Sequence, residues 1–504
     1  LFAFTLLWLA LCEGPLWAMA LLFGLSLSNH WPLMLLVAPA YAVLLWPRRQ
    51  ELFSKMAFLF PLVIAGLLPY AWMVWRSQAP LPVSFSGPIG SWFEFWFFVS
   101  RAGYAEVDAS QTATWLDRLN YFRYQGGQLL VELALVGTAL AALGFWAQWK
   151  QWGRRVAGAL TLAFAMPTFV LLLLLGFDYD AFHKHVYHVY PLPAYGIAAL
   201  WLALGFAAVA ERLAWGRGAR AALAAVVVTL IAAVGARGNL LAGYDWVERY
   251  GRAVLGALPK DAIVILKGAD VGPLAYLHMV QGERQDLTLY HPQGLVLGNR
   301  LFHPIRTDPK VQEVAVRELI RDATVPVATT APTMAGLAWR EHWLFATLDP
   351  AATNPVVTVD IPPALARYFE NEVQEMSERN AFIAFYQGEL RRRYAALVAM
   401  SGESRSLEPL ARDFYGAVGA IEGMMARRQG YAPREAVRLL QTAAERMPSD
   451  ASKRQRARYL ELRGYVRFDL GDRRGALEDL EAAAAAWPVA ANSAGPALKR
   501  IGAL

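Results

Sequence analysis

The stretch 154–212, RRVAGALTLAFAMPTFVLLLLLGFDYDAFHKHVYHVYPLPAYGIAALWLALGFAAVAER, decides the fold. Its two apolar runs, 156–176 and 189–210, each reach the roughly 20 residues that a helix needs to cross the hydrocarbon core of a bilayer. A polar connection, 177–188, separates them, and Arg154, Arg155 and Arg212 flank the pair. Working outward, further apolar segments lie at 15–28, 31–46, 55–75, 127–148 and 221–237. The first two are short, are divided only by Ser28-Asn29-His30, and read as two tilted spans or one broken hairpin.

Of the 89 charged side chains in the 504 residues, only 24 fall in positions 1–236. A membrane half is joined to a charged, soluble half, and with mean hydropathy +0.29 and 18 Trp the chain is not an ordinary soluble enzyme. The single cysteine, Cys12, rules out an internal disulfide framework and a cysteine-based metal site. The chain opens at Leu1 inside an apolar run with no Met and no basic leader, which reads as an N-terminally truncated sequence.

Loop charges orient the spans. The connections 47–55 (Arg48, Arg49, Lys55), 149–155 (Lys150, Arg154, Arg155) and 211–220 (Arg212, Arg217, Arg220) are dense in Lys and Arg, whereas 76–126 and 177–188 are sparse. The dense loops belong in the cytoplasm, so the other two and everything after Arg237 are expected outside. The excess of basic residues thus reports orientation and implies no nucleic-acid partner.

The expected fold is mostly α: a polytopic helical membrane domain over 1–237, a small extracytoplasmic α/β unit over 238–363 and a helical repeat domain over 364–504. The α/β unit is read from apolar strands at 262–266, 287–290, 325–328 and 356–359, with helices at 271–281 and 310–322 between them. In the last segment Gly464, Gly471-Asp472, Ala476, Leu480, Ala483 and Pro488 fall where a tetratricopeptide repeat places small packing residues, its turn and its closing Pro. Ala436, Leu440, Ala443 and Pro448 mark the preceding unit.

Candidate chemistry concentrates in the connection 177–188. Asp178, Asp180, His183, Lys184, His185 and His188 suit a divalent-metal site or a mouth that neutralises a lipid phosphate; a plain polar loop at the lipid boundary needs neither. Phosphate binding is preferred, because the chain offers no obvious further metal ligands. Glu132, inside a span, costs roughly 2–3 kcal/mol unless it meets a polar cavity or a partner such as Gln125, Gln128 or an outer-loop Arg. Around Asn29 and His30, Ser28 or Asn29 reads as a helix N-cap with Pro32 in the first turn, or the Asn29 and His30 side chains stand at the rim of a cavity. The aromatic run 91–98, with Glu94 its one charge and Arg101 following, suits a helix lying in the membrane interface. Lys267-Gly268-Ala269-Asp270 follows the first strand, where a sheet presents a ligand site, but without a glycine-rich phosphate loop.

The segments GLSLSNHWPL (24–33), FEFWFFVSRAGYA (93–105), YPLPAY (190–195) and DAIVILKGADVGPLAYLHMVQGERQDLTLY (261–290) resemble the bacterial branch of the transmembrane protein 260 family, also called domain-of-unknown-function family 2723. That resemblance implies a GT-C glycosyltransferase fold, a polyprenyl-phosphate sugar donor, and a protein or glycan acceptor at the outer face of the bacterial inner membrane. It places the acidic catalytic residue in the first outer loop, expected upstream of Leu1. It also directs attention to Asn29, His30 and 178–188 as cavity or donor-phosphate positions. Two other function classes fit the sequence: a scaffold that recruits envelope partners through its repeats, and a lipid-linked polysaccharide polymerase or transporter using Glu132 and the histidines as a relay.

Overall fold

The computed structural model describes residues 1–78, 88–104, 112–212, 216–239, 244–292, 296–297, 301–303, 305–331, 333–334, 336–349, 357–374, 381–402, 407–427 and 431–487. Val356 of the last expected strand and the closing Pro488 of the repeat lie outside the described residues. The chain is mostly helical, with one small sheet, and divides into two compact units, Leu1–Trp75 with Phe98–Ala242, and Arg76–Phe97 with Gly243–Leu504. All of the aromatic run but Phe98 therefore falls in the second unit, although its position between spans assigns it to the first.

Helices α1 (Phe2–Leu11), α2 (Leu16–Leu45), α3 (Arg49–Ser54), α4 (Met56–Gly66) and α5 (Leu68–Ser77) open the chain. Six helical stretches of the described residues are long and apolar enough to cross a membrane: Leu16–Ser54, Met56–Ser77, Trp115–Gln151, Gly153–Leu174, Leu192–Arg212 and Arg217–Ala236. The first of these is folded back on itself. His30 leaves the helical region (φ −154°, ψ 74°), and Arg48 Nη1 donates to the Gly14 carbonyl at 2.6 Å. A continuous helix would hold those two residues about 50 Å apart, so the arms on either side of His30 form an antiparallel hairpin. Each arm is about 21 Å long, short of a ~30 Å hydrocarbon core. Gly14 and Arg48 lie at the same end.

Glycines set how closely the spans approach. A Cβ on Gly24 would lie 2.1 Å from the Val63 carbonyl oxygen, and one on Gly66 2.5 Å from that of Leu21, so α4 runs backbone to backbone along the first arm of α2. Tyr70 extends that contact by donating to the Leu27 carbonyl at 3.0 Å. After α6 (Trp92–Val99), the long α7 (Trp115–Gln151) is interrupted at Ala134 (φ 54°, ψ 172°). It is followed by α8 (Gly153–Ala165), α9 (Leu171–Leu174), α10 (Ala181–Tyr187), α11 (Leu192–Arg212) and α12 (Arg217–Asn239). Helices α7 and α11 cross at Gly144 and Gly205, whose added Cβ atoms would lie 1.7 Å from Trp201 O and 1.9 Å from Leu140 O. Gln148 secures the crossing, accepting from Trp201 Nε1 at 2.8 Å.

In the second unit, α13 (Trp246–Ala257) leads into β1 (Ile263–Ile265), α14 (Val271–Met279), β2 (Thr288–Tyr290), α15 (Pro309–Asp322), β3 (Val327–Thr329), β4 (Trp339–Glu341), β5 (Ala346–Leu348) and β6 (Val357–Val359). The sheet order is β2-β1-β3-β5-β4-β6; β1 pairs parallel with β2 and β3, and β4 and β5 form an antiparallel pair. That pair has no apolar run to announce it: Arg340, Glu341 and His342 interrupt the pattern. It is fixed instead by Trp343, a fully buried residue at φ 81° whose Nε1 donates to the Leu390 carbonyl at 2.9 Å. Composition drew a boundary at 363, but one core runs across it, joining Val264, Leu289 and Trp343 to Phe369, Tyr394 and Val398.

Helices α16 (Pro363–Tyr368), α17 (Ala381–Ser401), α18 (Phe414–Ala426), α19 (Pro433–Glu445), α20 (Lys453–Asp469) and α21 (Arg473–Ala486) complete the chain. The small residues singled out above are buried between helices: Ala436, Ala443, Ala476 and Ala483 are fully covered, and a Cβ on Gly464 would meet Leu480 Cγ at 2.9 Å. Arg463 stands where the repeat pattern has an apolar residue, and it pairs with the buried Asp479 through Nε at 2.8 Å.

The glycine crossing gives a direct test. Gly144→Val forces α7 and α11 apart and should cost about 2 kcal/mol. Gly126→Ala, with open space around it, should leave stability within about 0.5 kcal/mol of the parent. Unfolding in detergent–lipid bicelles measures both; equal effects contradict the close crossing.

Candidate functional site

Within the first unit, the reversal at His30 builds one side of a polar cluster. Its Nδ1 accepts the Leu33 N–H at 3.3 Å and thereby caps the second arm of the hairpin. The cap is thus His30 itself, not Ser28 or Asn29: Ser28 donates back to the Leu25 carbonyl at 2.7 Å, and Asn29 is exposed. His30 Nε2 lies 3.4 Å from Arg101 Nη1, an obligate donor that competes with the Leu33 N–H, since a neutral imidazole accepts at only one of its ring nitrogens. The His30 ring meets the edge of Tyr190 with centroids 5.8 Å apart, and Trp31 Nε1 donates to the Val99 carbonyl at 2.6 Å. Asn29-His30, Arg101 and the end of the 177–190 connection, scattered in sequence, converge here.

Tyr190 continues into a cluster with Tyr121, Phe177 and Tyr187. The carboxylates of this region organise the loop. Asp117 forms a capping box with Thr114 at the start of α7 and also accepts the Tyr179 N–H at 3.1 Å. Asp178, buried, accepts from Thr112 Oγ1 at 2.6 Å, while Tyr121 donates to its backbone carbonyl at 3.0 Å. Asp180 caps α10 by accepting the His183 N–H at 2.8 Å, and its Oδ1 lies 2.9 Å from His183 Nδ1.

Lys184 places its ammonium over the rings of Tyr179 (5.1 Å) and Tyr124 (5.8 Å), a cation–π seat. Burial holds the Tyr187 phenol well above its usual range, so it serves as a neutral donor, here to Gln125 Oε1 at 3.0 Å. The same amide donates to Tyr195 at 3.3 Å. Gln125 is thus committed to tyrosines and is not the partner of Glu132. Glu132 is half-buried, close enough to Tyr124 and Tyr195 to act on them electrostatically.

The metal reading finds no support among the described residues: nowhere do three His, Cys, Asp or Glu side chains converge. The physical reason is local. His185 and His188 stack with centroids 4.9 Å apart on an exposed surface, whereas Asp178 and Asp180 turn inward to the contacts above. Partial burial, and secondarily His188, hold the His185 imidazole below its ordinary pKa.

A second constellation lies within the second unit. The aromatic helix α6 exposes Trp92, Phe93 and Trp96 but buries Glu94 completely. Arg306 grips that carboxylate through Nε and, at 2.7 Å, through Nη2; the Gly90 N–H donates to it at 2.7 Å and His303 Nε2 lies 3.4 Å away. A lone charge in an aromatic run was the sequence signal, but its partner 212 positions away was not legible. After β1, Asp270 accepts from Tyr250 at 2.6 Å; burial holds its carboxyl above the usual range, although this hydrogen bond and one with Thr330 oppose the shift. Lys267, exposed, does not join that pair.

Compared with protein-family models, with curated proteins and with solved structures, the chain matches none.

The Arg306 guanidinium, ahead of the Gly90 N–H, holds the Glu94 carboxyl down at about 2. A folded-state pKa below the unfolded value of ~4.3 contributes stability that is complete above that value and lost as pH falls through it toward 2. Glu94→Gln should therefore lower the melting temperature by a few degrees at pH 7, and the difference from the parent should shrink between pH 4.3 and 2. A gap independent of pH over that window contradicts the ion pair.

Proposed function

We propose that this chain is a polytopic membrane glycosyltransferase of the GT-C class. It transfers a sugar from a polyprenyl-phosphate donor to a hydroxyl of a protein or envelope glycan, on the periplasmic face of a bacterial inner membrane. The observation that carries the reading is the Arg101 guanidinium held at the reversal of the hairpin, with Nη1 3.4 Å from His30 Nε2 and the His30 ring against the edge of Tyr190. A guanidinium so placed, with further N–H groups on its fork, suits an anionic oxygen. Lys184, seated on Tyr124 and Tyr179, adds a second cation to the same tyrosine-lined region.

In the reaction the acceptor oxygen attacks the anomeric carbon, the bond from that carbon to the phosphate oxygen breaks, and the polyprenyl phosphate departs with the electron pair. The charge that builds on the phosphate is what Arg101 and Lys184 would stabilise. The acceptor proton passes to a carboxylate base, which the family resemblance puts in the loop after the first span of such proteins and not in this cluster. Asp117, Asp178 and Asp180 are occupied in shaping the loop. Glu132 would line the cavity beside Tyr195. The sidedness follows from the three basic loops, and the tetratricopeptide-like helical pairs at the end of the chain would position the acceptor.

The test is donor binding in proteoliposomes. Arg101→Gln and Lys184→Gln should each weaken binding of a polyprenyl-phosphate sugar about tenfold while the melting transition is retained. Unchanged affinity in both folded variants contradicts the assignment.

A further inference from the structure

The parallel part of the sheet carries a feature that the transferase reading does not use. In the order β2-β1-β3 the chain leaves β1 toward one neighbour and later returns to pair on its other side. That reversal of direction opens a crevice beyond the carboxyl ends of β1 and β3, the position at which open α/β sheets bind ligands. A cavity of about 540 Å³ lies there, bordered by Ile265 and Lys267 after β1 and by Thr329 and Ala331 at the end of β3. Its volume is within the range of small-molecule sites.

The lining states the chemistry. Val316 and Ile320 of α15, with Met334 and Trp339, make an apolar floor continuous with the core beneath. The rim is polar, with Gln312, Glu313 and Lys267. Glu313 is already neutralised by Arg317 at 2.8 Å, whereas the Lys267 ammonium makes no hydrogen bond or ion pair with any described residue. An apolar floor, the buried His291 within the lining and, among the described residues, one uncompensated cation at the rim call for an apolar body bearing a single anion. The absence of a glycine-rich loop from the sequence after β1 argues against a nucleotide phosphate.

We propose that this crevice binds an apolar carboxylate, its hydrocarbon or aromatic part on the floor and its carboxylate at Lys267. The carboxylate could come from a free acid or from the end of a polypeptide; the recognition chemistry is the same. The inference stands on the second unit alone, so failure of sugar transfer leaves it untouched.

The experiment uses the full chain in lipid nanodiscs, with N-acetylphenylalanine and its uncharged amide as probes and ligand-observed NMR as the readout. The acid should bind about fivefold tighter than the amide, the size of a partly exposed ion pair. Lys267→Gln should bring the acid down to the level of the amide, and Met334→Trp, which fills the floor, should abolish both. If Met334→Trp lowers the melting temperature, Val316→Phe serves in its place. A peptide ending in phenylalanine and free phenylpropionate separate the two sources: tighter peptide binding points to a chain terminus, and tighter phenylpropionate binding to a free acid. Equal affinity of acid and amide for the parent, or an acid preference that survives Lys267→Gln, overturns the proposal.

Discussion

A chain that reverses direction among apolar spans must still satisfy every backbone donor and acceptor that the reversal exposes, because lipid offers no replacement partners. The turn at His30 meets that demand with side chains. His30 Nδ1 takes the Leu33 N–H, Ser28 covers the Leu25 carbonyl, and at the opposite end Arg48 covers the Gly14 carbonyl. The hairpin then has both termini at one end and its turn at the other. Whether its short arms cross the bilayer or dip into it, the following helices start from the same side, so the orientation inferred from loop charge does not depend on how 15–46 is counted.

The same turn determines what chemistry its end can host. The His30 ring is held between the Leu33 N–H on one side and the Arg101 guanidinium on the other. The nearby carboxylates are spent on Thr112, Thr114, Tyr179 and His183. Three histidines and two aspartates within eleven residues suggest a metal by composition. Their directions argue otherwise, because an N-cap Asp and a His three positions on bond to each other first.

Much of the architecture was legible in the sequence. The apolar runs matched the long helices; the strands expected at 262–266 and 287–290 each contain an observed strand, and that at 325–328 overlaps β3. Two of the flagged positions, His30 and Arg101, meet at the turn, because polar side chains at span ends have few places to go. What escaped has a common physical cause: its determinant lies far away in the chain. The β4–β5 pair depends on Trp343 reaching Leu390, the aromatic helix on Glu94 reaching Arg306, and the tyrosine belt on Gln125 bridging Tyr187 and Tyr195. Periodicity reports burial, not the identity of a partner. The boundary drawn at 363 failed for the same reason, since composition changes there while the core does not.

The central claim is that Asn29 and His30 stand at the opposite end of the helical unit from Gly14 and Arg48. Single cysteines at Asn29 and at Arg49, in a Cys12→Ala background, can be labelled in sealed vesicles with a membrane-impermeant maleimide. The account predicts that the two positions react from opposite sides of the membrane or, if the arms only dip into the bilayer, that Asn29 reacts from neither. Full labelling of both from the same side would contradict it.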